Sequence, residues 1–358
     1  MRGGTFVKLG AIGAVLVGAA ALFGLTAGWF SPGRMTQSRM VADFRDASGS
    51  QPGFRLNHAK GVCFTGTFQS NGQAVPLSKA AVFEVGSVPV IGRISLAGGM
   101  PFQADKPATV RSMALRLMPM DGQEWRTANV NLPVFVVNSA RGFYDFTRAT
   151  APDPATGKPY PTQMSAFLAD HPETVKAMAL IKLAPTSSGF ADATYAGLDA
   201  FRFVNAAGES VPVRWSLVPL QPVVAESATQ SASADKNYLF DALIAEARQH
   251  LLQWRLLVAV GEPGDPTNDA TLPWPGDRRQ VDAGTLTVDH LSSEATGRCA
   301  DVNYDPMVLP SGIEASDDPL LSARSSVYAR SFTLRAEDRM AKTPSAITPR
   351  DVQGGDSR

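Results

Sequence analysis

Cysteine is scarce in this 358-residue chain, and the two that are present lack the spacing of a zinc or redox motif. They are Cys63 and Cys299. Because they do not form a Cys-x-x-Cys pair, zinc-ribbon and thioredoxin-like signatures are excluded. In an oxidising compartment the two thiols can form a disulfide, and otherwise they stay as two buried free thiols. The sequence leaves both alternatives open.

Neither sign of charge is in excess. Lysine and arginine together number 33, aspartate and glutamate also number 33, and the formal net charge is zero. A chain without a basic surplus has no broad attraction for phosphate backbones. We therefore expect no nucleic-acid partner. With 44% hydrophobic and 18% charged residues, the chain can instead build a sizeable core.

Charged residues are absent from one long N-terminal stretch. Arg2 and Lys8 precede an uncharged run from Leu9 to Phe30 that is rich in Ala, Val, Leu and Gly. About 20 apolar residues span a bilayer as a helix, and the run exceeds the roughly 7 to 15 residues of a usual signal-peptide core. We predict that residues 1–33 are either an export signal or an uncleaved membrane anchor, and we favour the anchor. The body of the protein is then expected in the periplasm or another space outside the cytoplasm.

The body of the chain, residues 34–340, is predicted to fold as one α+β domain built on a closed antiparallel β-barrel with flanking helices. Short β-prone runs alternate there with Gly, Pro and Asn-Gly turns. The predicted strands are Val62–Phe68, Ala80–Val85, Val88–Ile94, Met113–Leu117, Pro133–Val137, Phe201–Asn205, Val211–Trp215, Trp254–Val260 and Gly284–Val288. The predicted helices are Gln37–Asp46, Thr162–Leu183, Asn237–His250 and Leu320–Ala329. Val224–Asp235 is predicted to be a loop, and the polar residues 341–358 a disordered tail.

Two sets of residues are candidates for chemistry. His58 is one of only four histidines, and an imidazole titrates near neutrality, so it can take and return a proton. Arg324 and Tyr328 are four residues apart and share a face of the predicted helix. The guanidinium and a metal cation together would favour the phenolate form of the tyrosine. Taken singly, each has an ordinary alternative, a core or surface histidine and a surface Arg–Tyr pair.

Several segments, in order along the chain, resemble the catalase family. Arg55–Gly61 resembles the distal haem motif Arg-x-x-His-Ala-Lys-Gly, Arg93–Ser95 resembles Arg-Phe-Ser, and Leu132–Phe135 resembles Thr-Pro-Ile-Phe. Four later segments follow in the family's order. Phe201–Glu209 resembles Phe-Lys-Leu-Val-Asn-x-x-Gly-Glu, and Tyr304–Pro306 resembles Phe-Asp-Pro. Leu309–Ser316 resembles Pro-Pro-Gly-Ile-Glu-x-Ser, and Arg324–Tyr328 resembles Arg-x-x-x-Tyr. The resemblance runs from about Gly53 to about Arg335. The short chain and its N-terminal apolar run are similar to the small catalase-related peroxidases.

The resemblance implies a b-type haem with ferric iron. His58 would be the distal acid–base, and Ser95 would accept a hydrogen bond from the histidine ring. Tyr328 would be the axial phenolate ligand, held ionised by Arg324. The arginines expected to pair with the haem propionates are Arg55, Arg93 and Arg335.

One position departs from the family pattern. Three residues before the proline of their Thr-Pro-Ile-Phe segment, catalases have an asparagine that hydrogen-bonds the bound peroxide. In this chain that position, three residues before Pro133, is Val130. Adjacent residues of an extended chain face opposite sides, so the neighbouring asparagines do not replace it automatically. Asn131 is the candidate for a polar group at the pocket, and its alternative is an ordinary turn or strand-end residue. A valine there would weaken peroxide polarisation, so we expect poor disproportionation relative to peroxidase turnover.

The implied function is a haem peroxidase that reduces hydrogen peroxide or organic hydroperoxides through a ferryl intermediate, with an electron donor that the sequence does not identify. An isomerase or dehydratase of fatty-acid hydroperoxides is an alternative, as is a non-catalytic haem carrier. The presence of both His58 and Ser95 argues against a carrier, which needs no acid–base group. Asn57, which stands where the family has an apolar residue, is interpreted as a turn cap. His171, His250 and His290 lie outside every motif and receive no role.

Overall fold

The strands and helices lie within the residues that the computed structural model describes: 16–18, 36–106, 109–151, 153, 156, 160–223, 236–339 and 343–353. The strands are β1 (Gly61–Ser70), β2 (Gly86–Leu96), β3 (Arg111–Leu117), β4 (Trp125–Val130), β5 (Tyr195–Val204), β6 (Ser210–Pro219), β7 (Leu252–Val260), β8 (Gln280–Ser292) and β9 (Ile313–Ala315). The helices are α1 (Gln37–Ser48), α2 (Ala140–Ala149), α3 (Pro161–Asp170), α4 (Pro172–Leu183), α5 (Tyr238–Gln249), α6 (Pro319–Asp338) and α7 (Pro349–Gln353).

The strands form a closed antiparallel barrel. Their order is β4-β3-β2-β1-β8-β7-β6-β5-β9. A further pairing of β4 with β5, in which Val130 lies opposite Ala196, joins the two ends and closes eight strands into a cylinder. Closure removes the unpaired edges that an open sheet of this size would expose. The predicted barrel is therefore confirmed.

Aromatic side chains fill the barrel. Trp125 and Trp215 are both buried, and their rings meet edge to face at 5.1 Å between centroids. Asn129 is fully buried among them: its Oδ1 accepts a hydrogen bond from Trp215 Nε1 at 2.9 Å, and its Nδ2 donates to the Met113 carbonyl at 3.1 Å. Because alternate residues of a strand face opposite sides, β4 directs Trp125, Thr127 and Asn129 inwards.

The outward face of β1 to β5 carries small and basic side chains. One row across the sheet holds Gly61, Ser95, Ser112, Val130 and Ala196, and the next holds Cys63, Arg93, Ala114 and Ala128. Helix α6 lies over this face, and Tyr328 packs against the buried cluster that contains Cys63, Ala114 and Tyr304. Because the side chains on this outward face are small, a planar group can be flanked by the sheet on one side and α6 on the other. This face is therefore the candidate site.

Three predicted elements are wrong. Ala80–Val85 contains a 3-10 helix, Ala81–Phe83, in place of a strand. Pro133–Val137 is irregular, and Phe135 stacks on Phe143 of α2 at 5.6 Å while its N–H donates to the Ala270 carbonyl outside the barrel ladder. The predicted helix Thr162–Leu183 is two helices, because Pro172 holds the preceding residue out of the helical region.

The two ends of the chain were also predicted. The tail expected to be disordered from residue 341 instead has Ile347 fully buried, with its carbonyl accepting from Ser293 Oγ at 2.7 Å, followed by α7. Of the predicted anchor at residues 1–33, only residues 16–18 are described. Among the described residues, no helix has the length and apolar character needed to cross a membrane. The predicted loop Val224–Asp235 lies outside the described residues.

Cys63 and Cys299 form a disulfide, with their Cα atoms 5.3 Å apart. The bond joins β1 to a second 3-10 helix, Arg298–Asp301, across 236 positions of sequence. Gly297 lies directly against it, since a Cβ there would come within 2.5 Å of the Cys63 Cβ atom. Of the two alternatives for the cysteines, the paired form is the one observed.

Candidate active site

His58 lies in a turn that the neighbouring side chain holds. Its φ of +56° is in the left-handed region, which is uncommon for a residue with a Cβ. The Oδ1 atom of Asn57 accepts hydrogen bonds from the backbone N–H of His58 at 2.9 Å and of Gly98 at 2.8 Å. The two bonds fix the turn against the end of β2. Asn57 is therefore a turn cap, as predicted.

The imidazole of His58 is uncharged at neutral pH. Burial, followed by the positive charges of Arg93, Arg324 and Arg55, lowers its pKa to about 3. Its Nδ1 atom is buried and has no hydrogen-bond partner. The expected bond to Ser95 is therefore not formed in this structure, although Ser95 is only 2% exposed and lies opposite Gly61, three residues beyond His58.

Lys60, in the same motif, serves the fold. It is fully buried, and its Nζ lies 2.6 Å from Asp105 Oδ1 and 3.0 Å from the carbonyls of Gln103 and Lys236. Asp105 also accepts from the Leu239 N–H at 2.9 Å. A buried ammonium with three acceptors is well satisfied, so Lys60 anchors the motif to the start of α5.

Two of the predicted arginines are tied to one loop. Arg93 forms a bidentate pair with Glu294, with its Nε and NH2 atoms 2.8 and 2.9 Å from the two carboxylate oxygens. Arg55 donates to the carbonyls of Cys299 and Val302 at 3.0 and 3.1 Å. Gly61 is required here, because a Cβ would come within 2.5 Å of the Arg93 guanidinium.

The third arginine has donors without acceptors. Arg335 is 4% exposed, and its Nε and NH2 atoms are buried without a hydrogen-bond partner, as is Nε of Arg55, which lies 3.8 Å from the Glu294 carboxylate. Burial, followed by the nearby charge of Arg55, lowers the pKa of Arg335 to about 8. Burial opposes ionisation of Glu294, but Arg93, Arg55 and Arg335 hold its pKa below the ordinary value. Three guanidinium groups thus face one carboxylate.

Tyr328 and Arg324 lie on α6, as the sequence predicts. The two residues are one helical turn apart on the same element, and Tyr328 contributes to raising the pKa of Arg324. Arg324 also pairs with the carboxylate of Asp199 on β5. Burial opposes the charged form of Arg324, but Asp199, Tyr328 and Asp318 outweigh it and raise its pKa. The arginine is therefore a permanent cation beside the phenol.

Asn131 is bound into the sheet. Its Oδ1 accepts from the Arg111 N–H at 2.7 Å, and its own N–H donates to the Arg111 carbonyl at 3.0 Å. No hydrogen bond joins it to His58 among the described residues. Val130 faces outwards and packs beside the cluster of Leu198, Ala270 and Leu320. The geometry thus favours the strand-end interpretation of Asn131 and leaves an apolar side chain at the position before it.

Three site residues carry no sequence signal. Glu294 follows β8 and meets Arg93 from 201 positions away, and Asp199 lies within a β-prone run. Ser112 occupies the outward row between Ser95 and Val130. Only strand register could have placed Ser112 there. The other histidines lie elsewhere: His171 joins α3 to α4, with its Nδ1 2.7 Å from Glu173, and His250 and His290 are exposed.

Comparisons with known proteins identify the family. The family model described as Catalase matches residues 50–352. The chain is a member of the catalase family. Members of this family are oxidoreductases that act on peroxide. The chain is 34% identical over 320 residues to a catalase-related peroxidase of Synechococcus elongatus, covering 89% of this chain and 94% of that protein. A catalase-related peroxidase of Mycolicibacterium paratuberculosis is 32% identical, covering 87% and 99%.

Solved catalase structures share the fold. A bacterial catalase superposes with a TM-score of 0.71 at 21% identity, covering 84% of this chain and 60% of that one. Catalase A from Saccharomyces cerevisiae gives a TM-score of 0.71 at 19% identity, covering 82% and 63%. This catalase-family chain therefore spans about three fifths of the length of those catalases, but nearly all of the length of the catalase-related peroxidases.

Catalase-family proteins generally bind haem, and the described residues fit that group. Haem carries two carboxylates, and the cluster of Arg55, Arg93 and Arg335 around Glu294 offers unused buried donors and two surplus positive charges. A phenol beside a permanent cation suits ligation of ferric iron. The outward barrel face beneath α6 is lined by small residues such as Gly61, Ala114 and Ala128, which present little side-chain bulk to a planar ring.

Proposed function

We propose that this chain is a haem-dependent peroxidase that reduces hydrogen peroxide or organic hydroperoxides with electrons from a separate donor. One observation carries the proposal: an uncharged histidine with a buried, unpartnered ring nitrogen lies at the same barrel face as a tyrosine one helical turn from an ion-paired arginine. Tyr328 packs against the cluster that contains Tyr304, and Arg55 lies over the Tyr304 ring, while the charge of Arg324 helps to lower the pKa of His58. These contacts support the proposal that the motifs from the two ends of the domain form one site.

The chain's own residues would divide the work. Bound haem supplies the redox chemistry at its iron. Tyr328 would hold the iron as a phenolate, with Arg324 balancing its charge, and the cluster of Arg55, Arg93 and Arg335 would hold the two propionates. Because its imidazole is neutral, His58 can take a proton from one peroxide oxygen and return it to the other, so that the second oxygen leaves as water or, from a hydroperoxide, as an alcohol.

The haem would be of b type and bound without a covalent link. Both cysteines of the chain are consumed in the disulfide, so neither is free to form a thioether bond to the ring. Extraction with acidified butanone should remove the haem completely. Haem that stays with the polypeptide would contradict this proposal.

Peroxide-dependent oxidation of a reducing dye tests the activity. His58→Ala should lower kcat/KM about 100-fold or more, because a positioned acid–base contributes roughly 10²–10⁴-fold, while haem occupancy stays unchanged. His290→Ala, an exposed histidine of β8, is the matched control and should behave as wild type. If wild type and His58→Ala both oxidise the dye at a negligible rate, the protein is instead a haem carrier. Donor-independent conversion of a fatty-acid hydroperoxide would indicate the isomerase or dehydratase.

Val130 favours peroxidase over catalase turnover. Its side chain is apolar, and its two neighbours in the outward row, Ser112 and Ala196, carry no amide that could polarise a second peroxide. Oxygen release from hydrogen peroxide, measured with an oxygen electrode, should therefore be slow compared with dye oxidation. A rate of oxygen release like that of an ordinary catalase would contradict this assignment.

We also propose that the domain works outside the cytoplasm, either secreted or held by residues 1–33. The disulfide supports this, since such bonds persist mainly in oxidising compartments. The uncharged run from Leu9 to Phe30 supports it independently. Residues 1–33 fused to an alkaline phosphatase that lacks its own signal should give activity in the bacterial periplasm. An inactive, cytoplasmic fusion would overturn the proposal.

A further inference from the structure

Asp199 is a buried carboxylate placed by an irregularity in β5. Strict alternation would put it on the same face as Tyr195, Phe201 and Phe203, inside the barrel. The pairing of β5 with β6 shifts register between Gly197 and Phe201. A bulge of this kind redirects the side chains it contains. Asp199 consequently meets α6 outside the barrel, where it is 4% exposed.

The carboxylate of Asp199 has one specific partner. Its Oδ2 atom contacts NH1 of Arg324, and no other side-chain hydrogen bond to it is present among the described residues. Asp318 also lies close by, but its Oδ1 accepts from the Leu320 N–H at 2.9 Å and thereby caps α6. Asp199 is thus the carboxylate that directly pairs with the guanidinium of Arg324, which lies one helical turn before Tyr328 on α6.

We propose that Asp199 is a positioning residue that sets how much positive charge Arg324 presents to the Tyr328 oxygen. The proposal rests on the proposed function, in which Tyr328 ligates the haem iron. A guanidinium that is shared with a carboxylate withdraws less electron density from the phenolate than an unshared one does. Asp199 therefore keeps the ligand electron-rich, which stabilises ferric over ferrous iron and holds the reduction potential low.

The potential of the haem-loaded protein tests this directly. Asp199→Asn keeps an acceptor for Arg324 but removes the negative charge, so the ferric/ferrous potential should become more positive and the phenolate vibrations in the resonance Raman spectrum should shift. Asp192→Asn is the matched control. Asp192 is also buried and precedes β5, but it accepts from the Ser188 and Gly189 N–H groups at 2.9 and 2.8 Å. This control should leave both readouts unchanged.

Two outcomes overturn the proposal. One is a potential for Asp199→Asn that equals that of wild type and Asp192→Asn. The other is a shift to a more negative value. Either result counts only if the phenolate vibrations are present in wild type and vanish in Tyr328→Phe. If wild type has no phenolate vibrations, it is the proposed ligation by Tyr328 that fails.

A double-mutant cycle keeps the test decisive if Asp199→Asn does not fold. Removing one member of a buried ion pair leaves the other uncompensated, whereas Arg324→Gln combined with Asp199→Asn leaves a neutral pair. If Asp199 acts through Arg324, then Arg324→Gln and the double variant should have the same potential. A difference between these two potentials contradicts the proposal.

Discussion

At the scale of single residues, the site depends on ion pairs between residues that are far apart in the sequence. The motif residues His58, Arg93 and Tyr328 were predictable because they stand in recognisable segments. Their partners were not, because Glu294 and Asp199 are ordinary acidic residues until the barrel closes and brings them to Arg93 and Arg324. Asn131 became a candidate by counting back from Pro133 in the family pattern, and its hydrogen bonds to Arg111 are those of the alternative, a strand-end residue.

Asp318 should make stability depend on pH. Burial, followed by the charge of Asp199, raises the pKa of Asp318 from 3.8 to about 6. The folded state thus binds the proton more tightly than the unfolded state, and the stability from this group is full below pH 4 and is lost as the pH rises through 6. Asp318→Asn retains the cap of α6 but cannot ionise. The difference in unfolding free energy, Asp318→Asn minus wild type, should therefore increase by at most about 3 kcal/mol between pH 4 and pH 7.

Urea unfolding of both proteins at pH 4, 6 and 8 measures this difference. Asp282→Asn, which changes a half-buried carboxylate of β8 that pairs with Arg255, should show no comparable change with pH. A constant difference between Asp318→Asn and wild type across the range would contradict the argument.

At the scale of elements, short β-prone runs between turn residues were readable and irregular apolar segments were not. The strands β1, β3 and β7 were predicted because each contains such a run. Pro133–Val137 has the composition of a strand, yet its side chains pack on α2. Helix α6 continues to Asp338, well beyond the predicted end at Ala329. This length matters, because it carries Arg324, Tyr328 and Arg335 on one rigid element.

Arg335 on α6 should govern how firmly the haem is held. Its buried guanidinium has two unpartnered nitrogens, and a charge-assisted bond to a carboxylate contributes about 1.5–3 kcal/mol. Arg335→Gln should therefore speed haem transfer to excess apomyoglobin by roughly 10- to 100-fold. Arg330→Gln, at an exposed position of the same helix, should not change the rate. Equal rates for the two variants would remove Arg335 from the haem-binding set.

At the scale of the whole molecule, the barrel and its single disulfide fix parts of the site that are distant in sequence. The closed sheet was predictable from its many short strands. Whether Cys63 and Cys299 pair was not, because spacing cannot say which loops the fold brings together. The bond holds the 3-10 helix Arg298–Asp301 against β1, and the carbonyls at Cys299 and Val302 receive Arg55.

Removal of the disulfide should therefore affect both stability and the site. The double variant Cys63→Ser with Cys299→Ser should lose about 2–5 kcal/mol of unfolding free energy, measured with urea. It should also release haem faster than wild type, because the acceptors of Arg55 are no longer tethered. A variant with lower stability but an unchanged rate of haem release would show that the bond supports the fold alone.

We propose that Tyr328 binds the iron of a haem whose other side is served by His58, and optical and resonance Raman spectra of the purified ferric protein measure this ligation. We expect high-spin ferric haem with phenolate vibrations. Tyr328→Phe should lose those vibrations, while Tyr304→Phe, in the same packed cluster, should keep them. A protein that takes up haem with no phenolate signature, or a Tyr328→Phe spectrum identical to that of wild type, would show that Tyr328 is not the ligand.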